Sequence, residues 1–186
     1  MDSEDFTRIN NEERILPEKL VASKKKVSMI VSNHVGWLEV MALICSPLHP
    51  GFTPKEEFKS APLLGKLCQG LQSIFIGRGA SEAEKDAVVE KIAARQTLIE
   101  EEGKWSPICI FAEGSTTNGD YLLKFKRGAF SAMKTVIPCY CKFSYGAINP
   151  AYDVLQFWNL VIFMISSLGF YKATLVIMPP FEPTED

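Results

Sequence analysis

Apolar positions fall in short blocks separated by polar turns, and their spacing predicts alternating strands and helices. Residues 27–32 are a short apolar run that ends in a polar turn, which predicts a buried strand. The apolar stretch over 37–45 predicts a helix, ended by Pro47 and Pro50. Residues 59–70 predict a second short helix with Pro62 in its first turn, and 73–77 a short strand. The clearest helix covers 81–102. Ser81 caps it and Glu84 stands three residues on, a capping box; Val88, Ile92, Arg95 and Ile99 follow a helical stripe in which Arg95 is the odd member; Gly103 is the stop. The uninterrupted apolar run over 108–112 predicts a central strand, 136–143 a strand or strand pair, and 173–178 a last strand. This alternation argues for an α/β fold: a single domain with a mainly parallel central sheet flanked by helices.

One segment admits three readings. Residues 154–171 carry no charge over 18 positions, between Asp153 and Lys172. Gln156, Asn159, Ser166 and Ser167 fall on one stripe, and the rest of the circumference is apolar. The length is at the lower limit for a membrane-spanning helix. A wide apolar face with a narrow polar stripe suits a helix lying in a membrane interface, and suits equally a core helix over the sheet.

Composition narrows the classes. The chain has 186 residues, 47% apolar and 23% charged, enough for one domain with a sizeable core and not the make-up of a disordered chain. Twenty basic against 22 acidic residues give a net charge of −2, without the basic excess of a nucleic-acid binder. The five cysteines are scattered, with no metal-ligand spacing, and point to a reducing compartment; all but one lie in apolar surroundings and read as small core residues. Residues 1–26 form a polar N-terminal segment before the domain at 27–183, with no secretory signal. Its basic run, Lys24 to Lys26, reads either as a solvated turn or as a contact to anionic lipid head groups.

Three clusters can carry chemistry. Asn33 and His34 follow the first strand directly, where open α/β sheets place ligand-binding groups. Glu39 comes five positions after His34, about 140° away on one continuous helix. The two can meet only if His34 sits in the turn before the helix, with Gly36 allowing the bend; the carboxylate would then take the Nδ1 proton and leave Nε2 as a base. A lone histidine near a helix start is also commonly structural. The second cluster, Glu113-Gly114-Ser115-Thr116-Thr117-Asn118-Gly119, again follows a strand and can turn backbone N–H groups toward a phosphate or an oxyanion. The third is Arg78 between Gly77 and Gly79, where its guanidinium can fork onto a phosphate or form a surface ion pair. His49, between prolines, receives no role.

Taken in order, Asn33-His34-x4-Glu39, Ile76-Gly77-Arg78, Glu113-Gly114-Ser115 and Val136-Ile137-Pro138 resemble the blocks of the glycerolipid acyltransferases, the lysophospholipid and glycerol-3-phosphate acyltransferases. The stretch 113–118 followed by Phe125-Lys126-Arg127-Gly128-Ala129-Phe130 is similar to the lysophosphatidylcholine acyltransferase branch. Glu39 stands where the family has Asp, and Ser115 where that branch has Thr.

The resemblance implies a glycerol-3-phosphate acyltransferase-like fold and transfer of an acyl group from acyl-CoA to an acceptor hydroxyl. In it His34 is the general base and Glu39 orients the imidazole. Asn33, Arg78, Glu113, Gly114 and Ser115 serve substrate, Lys126 and Arg127 add positive field for phosphate or CoA, and residues 136–138 shape the acyl or donor site. It implies no metal and no cofactor, acyl-CoA being a co-substrate. Its partners are membrane lipids and acyl-CoA, not nucleic acid, and its place is an intracellular membrane, endoplasmic reticulum or mitochondrial. The longer carboxylate at 39 keeps a second reading open: a non-catalytic protein on the same fold, a lipid-binding or structural subunit of a membrane-protein complex.

Overall fold

The structure, a computed structural model, describes residues 27–77, 81–103, 105–144, 149–151, 157–166 and 172–184, with the side chains of Arg127 and Phe157 excepted. The N-terminal segment with its lysine run, Arg78, and the ends of the uncharged 154–171 segment lie outside the described residues.

Among the described residues four strands form one mixed sheet: β1 (Met29–Ser32), β2 (Ile108–Phe111), β3 (Val136–Ser144) and β4 (Lys172–Ile177), in the spatial order β2-β1-β3-β4. β1 pairs in parallel with both β2 and β3, and β4 closes the far side antiparallel to β3. The central strands are therefore β1 and β3, not 108–112 as the sequence predicts. β2 is still sheltered on its outer edge. Gly51 bridges Ile108 in parallel, and the Cys109 N–H donates to the Gly51 carbonyl. Residues 74–76 in turn hydrogen-bond to Phe52 and Pro54. The expected strand at 73–77 is thus only this irregular pairing, and 136–143 is one long strand rather than two.

Among the described residues four α-helices accompany the sheet: α1 (Leu38–Ile44), α2 (Leu64–Gly70), α3 (Glu82–Glu102) and α4 (Phe157–Ser166). The expected helix over 59–70 is broken. Residues 56–60 form a 3-10 turn, and Ala61 is extended, at φ −68° and ψ 125°. Pro62 forces this, because its ring excludes the helical region for the residue before it.

α3 begins as its sequence predicts, with Ser81 and Glu84 bonded reciprocally, and ends at Gly103 with φ 64°. Its stripe differs by one position. Ile92, Gln96 and Ile99 are buried, while Arg95 crosses to Trp105, 3.8 Å over the indole, and donates to the Gln72 carbonyl.

The period-2 alternation of the strands divides the core. Met29, Val31 and Val136 pack with Ile92 of α3 on one face; Ile30, Cys109, Ile137 and Cys139 pack with Leu43 of α1 on the other. Val136 and Ile137 are buried in these cores at the end of the sheet away from His34, and Pro138, half-buried, pairs with Val31 of β1. All parallel strands point their carboxyl ends the same way, so Ser32 and Phe111 end side by side.

Candidate active site

Five residues separate the last residue of β1 from the first of α1, and His34 lies in that turn. Because α1 starts only at Leu38, the angular separation expected of one continuous helix does not apply. Glu39, in the first turn of α1, reaches back so that its Oε1 lies 2.5 Å from His34 Nδ1. The carboxylate is wholly buried, and it also accepts the backbone N–H groups of Val35 and Gly36. Carboxylates in the first helical turn are favoured by the orphan N–H groups there. The bend draws on no positive φ at Gly36; among the described residues the glycines with positive φ are Gly103, Gly114 and Gly119. Gly36 contributes its N–H instead.

An acceptor oxygen opposite Nδ1 favours the tautomer with its proton on Nδ1 and a lone pair on Nε2. The ring stacks on Phe111, centroids 4.0 Å apart and planes within 10°, and Phe111 rests on Phe52. The side chain keeps 23% of its surface exposed, and Nε2 has no protein partner among the described residues. The imidazole is thus held on one face, tied at Nδ1 and open at Nε2.

The second cluster fastens the same histidine by its backbone. The His34 N–H donates to Glu113 Oε1 at 3.2 Å, and the His34 carbonyl accepts from the Thr117 N–H at 2.9 Å. Glu113 is buried, and its Oε2 accepts the Leu123 N–H at 3.2 Å. Asn33 is spent in a similar way. Its Nδ2 donates to the Cys141 carbonyl at 3.1 Å and its Oδ1 accepts the Cys141 N–H at 2.8 Å. Asn33 and Glu113 therefore hold the frame of the site, with their polar atoms engaged with backbone inside the fold.

Gly114 and Ser115 remain on the open side. Gly114 sits at φ 69°, and a Cβ there would fall 2.6 Å from the Lys126 Nζ, so its glycine both allows the turn and lets the Lys126 side chain cross it. Ser115 and Lys126 are exposed. Arg127 opens a short 3-10 turn, Arg127–Ala129. Gly77 emerges beyond Ile76, whose parallel bridge to Lys55 continues the run of strand ends at the edge where His34 sits; Arg78 follows it in sequence.

Of the five cysteines Cys45 is exposed and the other four are buried. Cys109, Cys139 and Cys141 are buried beneath α1 and free. Burial raises all three thiols. Cys139 is pushed up to about 12 with the help of Cys141, Cys141 to about 12 with that of the Glu39 carboxylate, and Cys109 well upward with Cys139 and Glu39 adding to burial. Among the described residues no group of His, Cys, Asp and Glu side chains could hold a metal ion.

A family model described as Acyltransferase matches residues 8–142. The chain belongs to the acyltransferase family. Lysophospholipid acyltransferase LPEAT1 of Arabidopsis thaliana is 28% identical over 169 residues, which is 91% of this chain and 42% of that protein. Lysophosphatidylcholine acyltransferase of Drosophila melanogaster is 26% identical over 90% of this chain and 31% of its own length. These relatives support the lysophosphatidylcholine acyltransferase-like branch. The chain spans less than half the length of either. The crystal structure of PlsC, the 1-acyl-sn-glycerophosphate acyltransferase from Thermotoga maritima, shares the fold at a TM-score of 0.54 and 18% identity, over 86% of this chain and 57% of that one.

The sequence singles out His34, Glu39 and the 113–119 turn, and the structure brings them together. It misses Phe111, the platform under the imidazole, and Thr117 as a backbone donor to His34. An aromatic closing a buried strand next to a candidate base is a signal that could have found the first.

Proposed function

We propose that this acyltransferase moves an acyl group from acyl-CoA to the free hydroxyl of a lysophospholipid, with His34 Nε2 as the general base. The observation that carries this reading is the His34–Glu39 contact, in which a buried carboxylate holds Nδ1 and leaves Nε2 open. An acceptor hydroxyl beside Nε2 would lose its proton as its oxygen attacks the thioester carbonyl. The tetrahedral intermediate then collapses, the C–S bond breaks, and CoA leaves as the thiol after taking up a proton. The imidazolium formed on the way is stabilised by Glu39. No acyl-enzyme is needed, since the acceptor oxygen attacks the thioester directly.

The acceptor class rests on the family and its named relatives: lysophospholipid acyltransferases in one case and a lysophosphatidylcholine acyltransferase in another. Lys126, crossing Gly114 beside the His34 turn, supplies positive charge for a phosphate or for CoA, and Arg78 and Arg127 are assigned the same task from the sequence. Association with a membrane follows from a lipid acceptor; no helix among the described residues is long and apolar enough to cross one.

One ground for the non-catalytic reading is the longer carboxylate at position 39. The contact to Nδ1 and the two backbone N–H groups taken by the same carboxylate support a working pair instead. The test is release of free CoA from acyl-CoA and a lysophospholipid, by the parent chain and by His34→Ala. The variant is expected to lose about 10²–10⁴ in rate with its melt unchanged. Equal rates, or an inert parent, defeat the assignment.

A further inference from the structure

We infer that residues 121–126 are the contact between this chain and a lipid surface bearing anionic head groups, placed at the mouth of the His34 site. Tyr121, Leu122, Leu123, Lys124, Phe125 and Lys126 are all exposed, Tyr121 at 75% and Leu122 at 68%. Large apolar side chains dominate this short run; the two lysines are its only charges, and no acid lies among them. Water is a poor solvent for such a loop. At a bilayer surface the leucines and rings enter the acyl boundary while lysine heads remain at anionic phosphates.

The loop is anchored rather than loosely attached. At its foot the Asp120 N–H donates to Asn118 Oδ1 at 3.1 Å, and Asn118 Nδ2 donates to Asp120 Oδ2 at 2.9 Å, so the nearest acid is engaged. The Leu123 N–H is held by Glu113, and the Lys126 N–H donates to the Ala112 carbonyl at 2.8 Å. The carboxylate that holds the loop at Leu123 also holds the His34 backbone. The apolar tip is thereby fixed outward, beside the turn that carries the base. A lipid surface against 121–125 would present an acceptor to Nε2 without the acceptor leaving the interface. The exposed apolar face of α4 is the rival surface, but α4 has no charged residue to match a head group.

The test uses the full chain with Cys45→Ser and Leu122→Cys, labelled at 122 with an environment-sensitive fluorophore. Vesicles are phosphatidylcholine with or without phosphatidylserine. A blue shift is expected with phosphatidylserine and a smaller one without. In the unlabelled chain, Leu122→Ser with Lys124→Gln should weaken vesicle affinity about tenfold, from one apolar contact and one lysine. The activity arm rests on the function proposed above. There the double variant slows transfer to a vesicle-borne lysophospholipid, while transfer to a short-chain monomeric one stays within about twofold. A label that stays in water overturns the inference, as does undiminished affinity in the double variant. Affinity lost only on Trp158→Ser with Ile162→Ser moves the contact to α4 and also overturns it. A chain that shows the shift at 122 yet transfers no acyl group removes the acyltransferase reading and leaves the lipid contact standing.

Discussion

The side chain of Asn33 is bonded at both ends to the backbone of Cys141, Oδ1 accepting at 2.8 Å and Nδ2 donating at 3.1 Å. The amide thus continues the attachment of β1 to β3 past the last paired residue, Ser32. His34 follows immediately, so the direction in which its imidazole leaves the sheet depends on this clamp. Asn33→Ala should cost about 1–3 kcal/mol by stranding a buried N–H and carbonyl. It should also lower kcat more than KM for either substrate. Denaturant melts and steady-state kinetics check the two halves; a pure rise in KM would return Asn33 to substrate binding.

Glu113 makes the corresponding tie from the other strand. With one oxygen on His34 and the other on Leu123, Glu113→Ala should lower kcat while leaving KM for the acceptor nearly unchanged. Glu113→Gln should be intermediate, because an amide keeps one accepting oxygen and turns donors toward the second N–H. A large rise in acceptor KM with kcat intact would show that the carboxylate meets substrate.

Much of this arrangement is legible in the sequence, and the unread part has a physical pattern. α3 is legible because its start and stop are local: a capping box and a glycine specify them within a few residues. The meeting of His34 with Glu39 is legible as a condition, since a spacing of five can close only across a helix start. What cannot be read from spacing is whether a polar atom faces the cleft or the fold. Asn33 and Glu113 look like ligand-binding groups by type and position, yet their partners, Cys141 and Leu123, are set by the register of β3 and by the path of a loop. The same limit applies to Val136 and Ile137, whose apolar side chains suit a substrate wall and a core equally; their packing on the two faces of the sheet puts them in the core.

The buried carboxylate of Glu39 makes its own length testable. Glu39→Gln keeps the shape but places an amide N–H₂ among backbone donors, and it removes the charge that, in the proposed mechanism, would stabilise an imidazolium. Turnover should fall by about 10² or more. Glu39→Asp should also lower turnover, since the shorter side chain cannot keep Nδ1 and the Val35 and Gly36 N–H groups together. Steady-state rates at saturating substrate decide. A Glu39→Asp variant faster than the parent would mean the turn fits the shorter acid better.

Alkaline pH should destabilise the fold through its thiols. Cys139 and Cys141 are pushed up to about 12, burial being the first cause, whereas an unfolded thiol ionises near ~8.5. With the folded value raised, the contribution is whole below the unfolded value and is lost as pH rises toward about 12, where folded thiols also ionise. Between those limits the unfolded state sheds protons that the folded state keeps, a slope of about 1.4 kcal/mol per pH unit for each thiol. Denaturant midpoints at about pH 8 and about pH 10 measure it. Before unfolding, an alkylating reagent should mark Cys45, which is exposed, and spare Cys109, Cys139 and Cys141. Labelling of those three in the folded chain would contradict their burial.

The uncharged segment that admitted three readings is resolved in part by α4, a helix of 10 residues. Leu160 and Met164, one turn apart, are buried, while Trp158, Ile162 and Ile165 on another face are exposed. Over its described residues the helix is not a core helix enclosed on all sides; one edge holds it to the protein. The sequence stripe of Asn159 and Ser166 lies on the exposed side with those apolar residues, so polarity alone does not mark which face is inward. Trp158→Ser with Ile162→Ser should accordingly leave a cooperative melt within about 2 °C of the parent, as exposed substitutions do. Leu160→Ala should cost about 2–5 kcal/mol, the range for emptying a buried leucine site, and lower the midpoint by about 2–4 °C for each of those kcal/mol. Thermal melts of the two variants discriminate: unfolding by the exposed pair would show that α4 is buried on both faces, and a neutral Leu160→Ala would show that it is held on neither.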